Sequence, residues 1–347
     1  MNLKTSAIIA LVLTLIFITS WEFYWRSQGR VPTVDDDKYL FAASRAKVDK
    51  LTSDDIIIVG SSRVMFNIQL DEFEKLTGVK PIQLANVGSS PLPVFHDIVN
   101  NTDFKGTVIV GVTPGLFFST TYPKASPIEW PQSRVDYFHK RTLSERFNHW
   151  LSIPLQENFV FIATHGEVLD DNVDLKTLLN NVEINNRTGR PRYPEFFEFG
   201  SVRRDRNVRM TVETSTDTVA ANKIKKAWKF ILGGENPPPD KNSTTAFFEQ
   251  DAKTFKARGG KIIFVRSPSS GFFEQGEAMF LPRERFYDSL LTVVNSPGYH
   301  YQDYEQLKTI DCCPEWSHLS AENADTFTKE LVKIMLNDNV LPTTKAD

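Results

Sequence analysis

The amino-acid sequence predicts an α/β fold: a doubly wound, mostly parallel sheet flanked by helices in three layers, with a large insertion and an N-terminal transmembrane helix. Three features predict it. Short apolar runs end in glycine-containing turns, helical stretches separate those runs, and a long apolar segment precedes them all. Strands that alternate with helices build βαβ units, whose crossovers place helices on both faces of a parallel sheet. At 347 residues with 41% hydrophobic and 24% charged content, the chain has the composition of a globular protein with a full core.

The elements follow in order. Residues 6–25, SAIIALVLTLIFITSWEFYW, contain a single charge, Glu22. A helix of that length covers roughly 30 Å of hydrocarbon. Lys4 precedes it, and Trp21, Tyr24 and Trp25 sit where an aromatic belt meets the headgroups. A cleavable signal peptide is the main rival, but its apolar region is shorter and ends in an Ala-x-Ala-like site, whereas here the exit reads Ile18-Thr19-Ser20-Trp21. Residues 1–26 therefore read as an anchor. Lys4 and the α-amine face Arg26 and Arg30 across the span, so charge counting leaves the orientation open. A short tail ahead of a single span ordinarily stays cytoplasmic, which puts residues from about 27 onward outside the cytoplasm.

Residues 27–37, with Gly29, Pro32 and Asp35–Asp37, read as a polar tether ending in a helix start near Asp37. Ile56-Ile57-Ile58-Val59 is a β-branched run that enters Gly60-Ser61-Ser62-Arg63, as a buried parallel strand enters a turn and a helix. A second run, Ile82 to Val87, ends at Gly88, and a third, Thr107 to Val112, ends in Thr113-Pro114-Gly115. Helical stretches lie between them, around Leu70 to Leu76 and Val94 to Asn100. The alternation lapses from about 120 to 245, a stretch rich in aromatics, arginines and prolines that closes in Gly233-Gly234-Glu235-Asn236-Pro237-Pro238-Pro239. It reads as an insertion or cap within a domain spanning 27–347. The pattern resumes with a helix near Thr245 to Ala257, a strand Lys261 to Val265, a helix around Arg283 to Val293 and a short strand near His300 to Tyr304. A last helix starts from Ser320, with Ala324, Phe327, Leu331 and Ile334 at helical spacing.

A net charge of −3 offers no basic surplus of the kind that nucleic-acid partners require. Cys312 and Cys313, the only two cysteines, are adjacent, which excludes a disulfide framework and a multi-cysteine metal site. They read as two ordinary thiols in a loop, although adjacent cysteines can close a ring in an oxidising compartment. Apart from His318, the five histidines show no ligand spacing, so neither a metal nor a cofactor is expected.

In doubly wound sheets ligands bind beyond the carboxyl ends of the strands, where all three glycine turns would fall. Ser62 follows the first strand at or just before a helix start, a favourable seat for a nucleophilic hydroxyl; a plain N-cap serine would look the same. Near the C-terminus, Glu315-Trp316-Ser317-His318-Leu319-Ser320 puts a carboxylate three residues before a histidine. Serine becomes a nucleophile when a base takes its proton, and the base works best when a carboxylate fixes its tautomer. Arg266-Ser267-Pro268, after Ile262 to Val265, would bring a guanidinium to the same rim, and Arg63 adjoins the serine; either suits an anionic substrate group. Arg203, Arg204, Arg206 and Arg209 form a basic cluster that reads as solvated surface or as a contact for an acidic polysaccharide or lipid headgroup.

In order and spacing, these residues resemble the SGNH, or GDSL-like, hydrolase superfamily. Ile58-Val59-Gly60-Ser61-Ser62 is similar to its first block, a strand followed by Gly-Asp-Ser, which assigns the nucleophile to Ser62. Asn86-Val87-Gly88 resembles the second block, whose glycine N–H helps bind the oxyanion, and Glu315-x-x-His318-Leu319 resembles the final Asp-x-x-His-Leu with Glu in the supporting role. The third block departs from the pattern: Val112-Thr113-Pro114-Gly115 stands where an asparagine is expected. Losing one oxyanion donor costs about 2.7–4 kcal/mol of transition-state stabilisation, so this chain either recruits another donor, for which Thr113 and the Gly115 N–H are the candidates, or is a slower or specialised catalyst. The layout also resembles membrane-anchored relatives that serve teichoic-acid D-alanylation and alginate O-acetylation.

The resemblance implies an extracytoplasmic, membrane-anchored serine esterase or O-acyltransferase. Its catalytic residues would be Ser62, His318 and Glu315, its oxyanion donors the Ser62, Gly88 and Gly115 amides, and its substrate contacts Arg63 and Arg266. Its partners would be an acylated envelope glycan or acyl donor and an envelope acylation complex. The alternative is a non-catalytic glycan-binding or scaffold component of an envelope assembly.

Overall fold

Five strands pair in the order β2-β1-β3-β6-β7: β1 is Ile56–Val59, β2 Ile82–Gln83, β3 Thr107–Gly111, β6 Lys261–Arg266 and β7 Gly298–His300. All four pairings are parallel, with Val59 opposite Val110 and Ile109 opposite Ile263. The chain leaves β1 toward one edge and returns past it to β3, so the switch in strand order lies beside β1. The computed structural model describes residues 2–119, 125–162, 199–233, 238–311 and 313–341. Most of the expected 233–239 linker, part of the insertion and Cys312 lie outside the described residues.

The strands are apolar on both faces because helices cover both faces. Side chains alternate across a strand, and two cores result. Ile56, Ile58, Ile109, Ile263 and Val265 pack with Phe327 and Leu331 of the last helix, Ala321–Asn337. Ile57, Val59, Val108, Val110, Ile262 and Phe264 pack with Phe95, Phe248 and Phe255 on the other side. Burying both sets on one sheet fixes the register, since a one-residue slip would exchange the faces.

Local capping explains where helices begin. The Asp37 carboxylate accepts the Leu40 N–H at 2.8 Å and opens the helix Lys38–Arg45; the Ser320 hydroxyl accepts from Asn323 N–H and opens the last helix. Several elements are shorter than the sequence predicts. The second strand is only Ile82–Gln83, although Leu84 N–H still donates to Ile58 O at 2.8 Å and Asn86 N–H to Gly60 O at 3.0 Å, and the Gln83 side chain accepts the Ala85 N–H at 3.0 Å. The expected strand at 300–304 is Gly298–His300, ended by the His300 ring accepting the Gln302 N–H. The helix expected at 283–293 is two pieces, a π turn Glu284–Asp288 and the helix Ser289–Val294, closed by Asn295 at φ +53°.

One N-terminal helix, Leu3–Ser27, is long and apolar enough to cross a membrane, with mean hydropathy 2.0 and none of its apolar window buried in the protein. The stretch read as a polar tether is partly integrated into the domain. Val34 N–H donates to Val202 O at 2.9 Å, and Thr33 and Val34 are buried. The described part of the insertion comprises the helices Ser126–Lys140 and Leu143–Asn158, the hairpin β4 (Gly200–Val202) and β5 (Val208–Met210), and the helices Val212–Thr216 and Thr218–Leu232. Its arginines correct the reading of a solvated basic patch. Arg206, fully buried at φ +64°, pairs with Asp36 at 2.6 Å; Arg209 pairs with Asp325 at 2.7 Å, and Arg203 with Asp71 and Asp205. Burial pushes the Asp36 carboxyl up, but the Arg206 and Arg134 guanidiniums outweigh it and hold the group below its usual range. These arginines clasp the hairpin to the domain. Arg204 of the cluster is exposed and has no such pair among the described residues.

Candidate active site

At the end of β1 the chain passes through Gly60 (φ +152°) into the helix Ser62–Asn67, with Ser61 as N-cap accepting the Arg63 N–H. A Cβ at Gly60 would lie 2.7 Å from a Val64 methyl and 3.1 Å from Gly111 Cα, and one at Gly111 would meet Val64 Cγ1 at 2.3 Å. Glycine at both positions lets the helix sit directly on β3. Ser62, the first residue of that helix, remains half-buried and reachable.

The C-terminal loop meets it there. His318 Nε2 lies 2.8 Å from Ser62 Oγ, and His318 Nδ1 lies 3.0 Å from Glu315 Oε1. Glu315 Oε1 also accepts the backbone N–H of His318 at 2.5 Å and of Ser317 at 3.2 Å. Its other oxygen accepts Trp228 Nε1–H at 2.5 Å. Glu315 is 0% and His318 1% exposed. Burial drives the Glu315 carboxyl up, yet the facing imidazole and these donors outweigh it, so the group is held below its ordinary value and stays ionised at neutral pH. With Nδ1–H pointed at a carboxylate, Nε2 carries the lone pair that faces the serine hydroxyl.

Two tertiary devices bring the ends together. Leu319 N–H, next to the histidine, donates to Asn67 Oδ1 at 3.0 Å, and Thr328 Oγ1 of the last helix donates to Asn67 O at 3.1 Å. The imidazole is walled by aromatic rings, with centroids at 4.5 Å for Phe66, 5.5 Å for Phe199 and 6.3 Å for Trp228. Phe199 and Trp228 belong to the insertion. Sequence reasoning missed Asn67, Phe199 and Trp228, which carry no local motif.

Gly88 (φ +59°) and Gly115 are exposed at the carboxyl ends of β2 and β3, on the rim that carries Ser62. Thr113 is occupied elsewhere: its hydroxyl lies 2.6 Å from Ser61 Oγ, so it braces the turn that leads into Ser62. Arg63 and Arg266 meet on one internal carboxylate, Glu277 of the helix Gly271–Phe280. Arg63 Nη1 is 2.7 Å from Glu277 Oε1, Arg266 Nη2 pairs with Oε2, and both arginines are buried. Burial raises the Glu277 carboxyl, but Arg266 and then Arg63 more than counter it and keep it ionised. These guanidiniums, expected at a substrate, form a buried ion cluster behind Ser62. Arg63 Nε also donates to Ser317 Oγ at 3.3 Å, tying that cluster to the histidine loop.

The expectation of two thiols is corrected. Cys313 is disulfide-bonded, and Cys312 is the only other cysteine in the chain. Adjacency permitted either state, and Cys313 is in the oxidised one. The Cys313 carbonyl accepts the Trp316 N–H at 2.8 Å, so the bridge lies within the segment that presents Glu315 and His318. No family model matches the chain, and a comparison with curated proteins finds no match.

Proposed function

We propose that this protein is a membrane-anchored serine esterase or O-acyltransferase of the SGNH kind, working outside the cytoplasm on acylated cell-envelope glycans. The observation that carries the reading is the hydrogen-bonded series Ser62 Oγ, His318 Nε2, His318 Nδ1 and Glu315 Oε1, at 2.8 and 3.0 Å. It supports nucleophilic acyl chemistry because the serine is reachable while its base and orienting carboxylate are dry. The base therefore works in a fixed tautomer with its charge partner in place.

In this reading Ser62 Oγ attacks the acyl carbonyl while His318 Nε2 takes its proton, and Glu315 stabilises the imidazolium that forms. The Ser62 and Gly88 amides receive the oxyanion, with Gly115 supplying the third position on the rim. Collapse expels the alcohol, which takes the proton back from His318 and leaves an acyl-Ser62. Water then yields a free acid, or a sugar hydroxyl yields a transferred ester, by the same proton transfer in reverse. The apolar helix Leu3–Ser27 supports the anchor.

The test is a fluorophosphonate probe on the full-length protein in detergent, followed by acetylated glycan with released acid and transferred acyl measured separately. Labelling that disappears in Ser62→Ala supports the enzyme. A folded wild-type protein that never labels removes it and leaves the glycan-binding or scaffold reading.

A further inference from the structure

The helix Leu143–Asn158 carries an apolar face that stays exposed among the described residues. Leu143, Phe147, Trp150, Leu151 and Leu155 are 78%, 60%, 61%, 50% and 49% exposed. Their spacing of i, i+4, i+7, i+8 and i+12 puts them on one side. The opposite side is docked: Ile153 is buried, His149 stacks on Tyr39 with centroids 6.2 Å apart, and the Gln156 carboxamide accepts Asp35 N–H at 2.8 Å. Thr142 and Glu145 form a capping box at its start, so the helix is a well-terminated element. Soluble surfaces rarely expose so continuous an apolar stripe.

What covers it follows from where its end is fastened. Glu22 accepts Val160 N–H at 2.9 Å and Phe161 N–H at 3.2 Å, and Arg26 Nη2 donates to Asn158 O at 2.8 Å. Glu22 and Arg26 lie in the last turns of Leu3–Ser27, beside the Trp21, Tyr24 and Trp25 cluster that suits the headgroup level. The amphipathic helix is thereby pinned, at its C-terminal end, to the height at which the spanning helix leaves the hydrocarbon. Arg146 is exposed at the edge of the stripe.

We propose that Leu143–Asn158 is an interfacial helix that seats its apolar face in a phospholipid bilayer, giving the domain a second membrane contact. This rests on Leu3–Ser27 spanning the membrane and is independent of the esterase reading. An in-plane helix beside the anchor stops the domain from pivoting about one point, so the Ser62 rim keeps a set orientation to the lipid surface.

The test uses the full-length chain in phosphatidylcholine–phosphatidylglycerol vesicles, with a photoreactive benzoylphenylalanine placed singly at Phe147, Leu151, Leu13 or Lys253. Lys253 is exposed on the separate helix Lys241–Ala257 and Leu13 lies in the anchor. After irradiation, mass spectrometry should find lipid adducts at 147 and 151 several-fold above those at 253 and comparable with those at 13. Adducts at 13 with only the position-253 yield at 147 and 151 would overturn the interfacial helix, as would crosslinks to a second copy of the chain there. Absence of adducts at 13 would overturn the spanning helix and the proposal with it.

Discussion

Replacing Trp228 by Phe removes one hydrogen-bond donor from the site and leaves most of the ring in place. Trp228 comes from the insertion, and its Nε1–H is the bond to Glu315 Oε2, at 2.5 Å; Oε1 takes its bonds from the histidine loop. The ring also lies 6.0 Å from Phe199, 6.0 Å from Phe273 and 6.3 Å from the His318 imidazole, and a phenyl ring retains much of this packing. The loss is therefore that of a charge-assisted bond to a carboxylate with no exposed surface, about 1–3 kcal/mol for a buried acceptor left without its partner. If that energy appears in the transition state, where Glu315 must hold a charged imidazolium, labelling of Ser62 slows by about 5- to 150-fold. The bond also helps keep the Glu315 carboxyl low, so its removal should move the acidic limb of the rate profile to higher pH. Stopped-time fluorophosphonate labelling of the full-length protein between pH 4 and 9 measures both effects. A Trp228→Phe protein that melts normally and labels at the wild-type rate with an unmoved acid limb would refute the positioning role assigned to the insertion.

Three further outcomes are expected. Glu277→Gln leaves Arg63 and Arg266 as buried cations without their shared carboxylate, and should lower stability by about 3–5 kcal/mol in denaturant titration; an unchanged midpoint would contradict the buried cluster. Gly111→Ala forces a methyl to within 2.3 Å of Val64 Cγ1, and overpacking of this kind should cost about 1–3 kcal/mol while displacing the helix that carries Ser62, read as a lower melting temperature together with slower labelling. Acid should destabilise the fold in two stages. His300 is held down to about 3 by burial, reinforced by Arg266 and Arg283. It stays neutral in the fold while the unfolded chain takes up a proton below about 6.5, which removes up to about 1.4 kcal/mol per pH unit as pH falls. Asp36, Glu277 and Glu315, whose folded values lie below their ordinary ones, add their loss as pH falls below about 4.5 and through those lowered values. Melting temperature against pH measures both stages, and His300→Gln should flatten the profile between pH 6.5 and 5; an unaltered slope there would remove the histidine from the account.

Much of this protein was legible from local sequence because the relevant forces act between neighbours. Ile56–Val59 reads as a strand because β-branched side chains suit a sheet buried on both faces, and Ser320 reads as a helix start because its hydroxyl can reach an amide three residues on. Glu315 and His318 were recognisable as a pair because one short loop brings their side chains within hydrogen-bond reach. The apolar stretch at the N-terminus likewise declared its helix through length and composition alone.

Tertiary structure alone decided the rest. Asn67 holding Leu319, Trp228 holding Glu315, Glu277 bridging Arg63 and Arg266, and Asp36 receiving Arg206 all join residues that the sequence separates and the fold juxtaposes. A lone arginine or tryptophan carries no mark of which carboxylate it will meet. Hydrogen bonds and ion pairs depend on distance in space and on removal from water, and both are set only once the two cores have closed on the sheet.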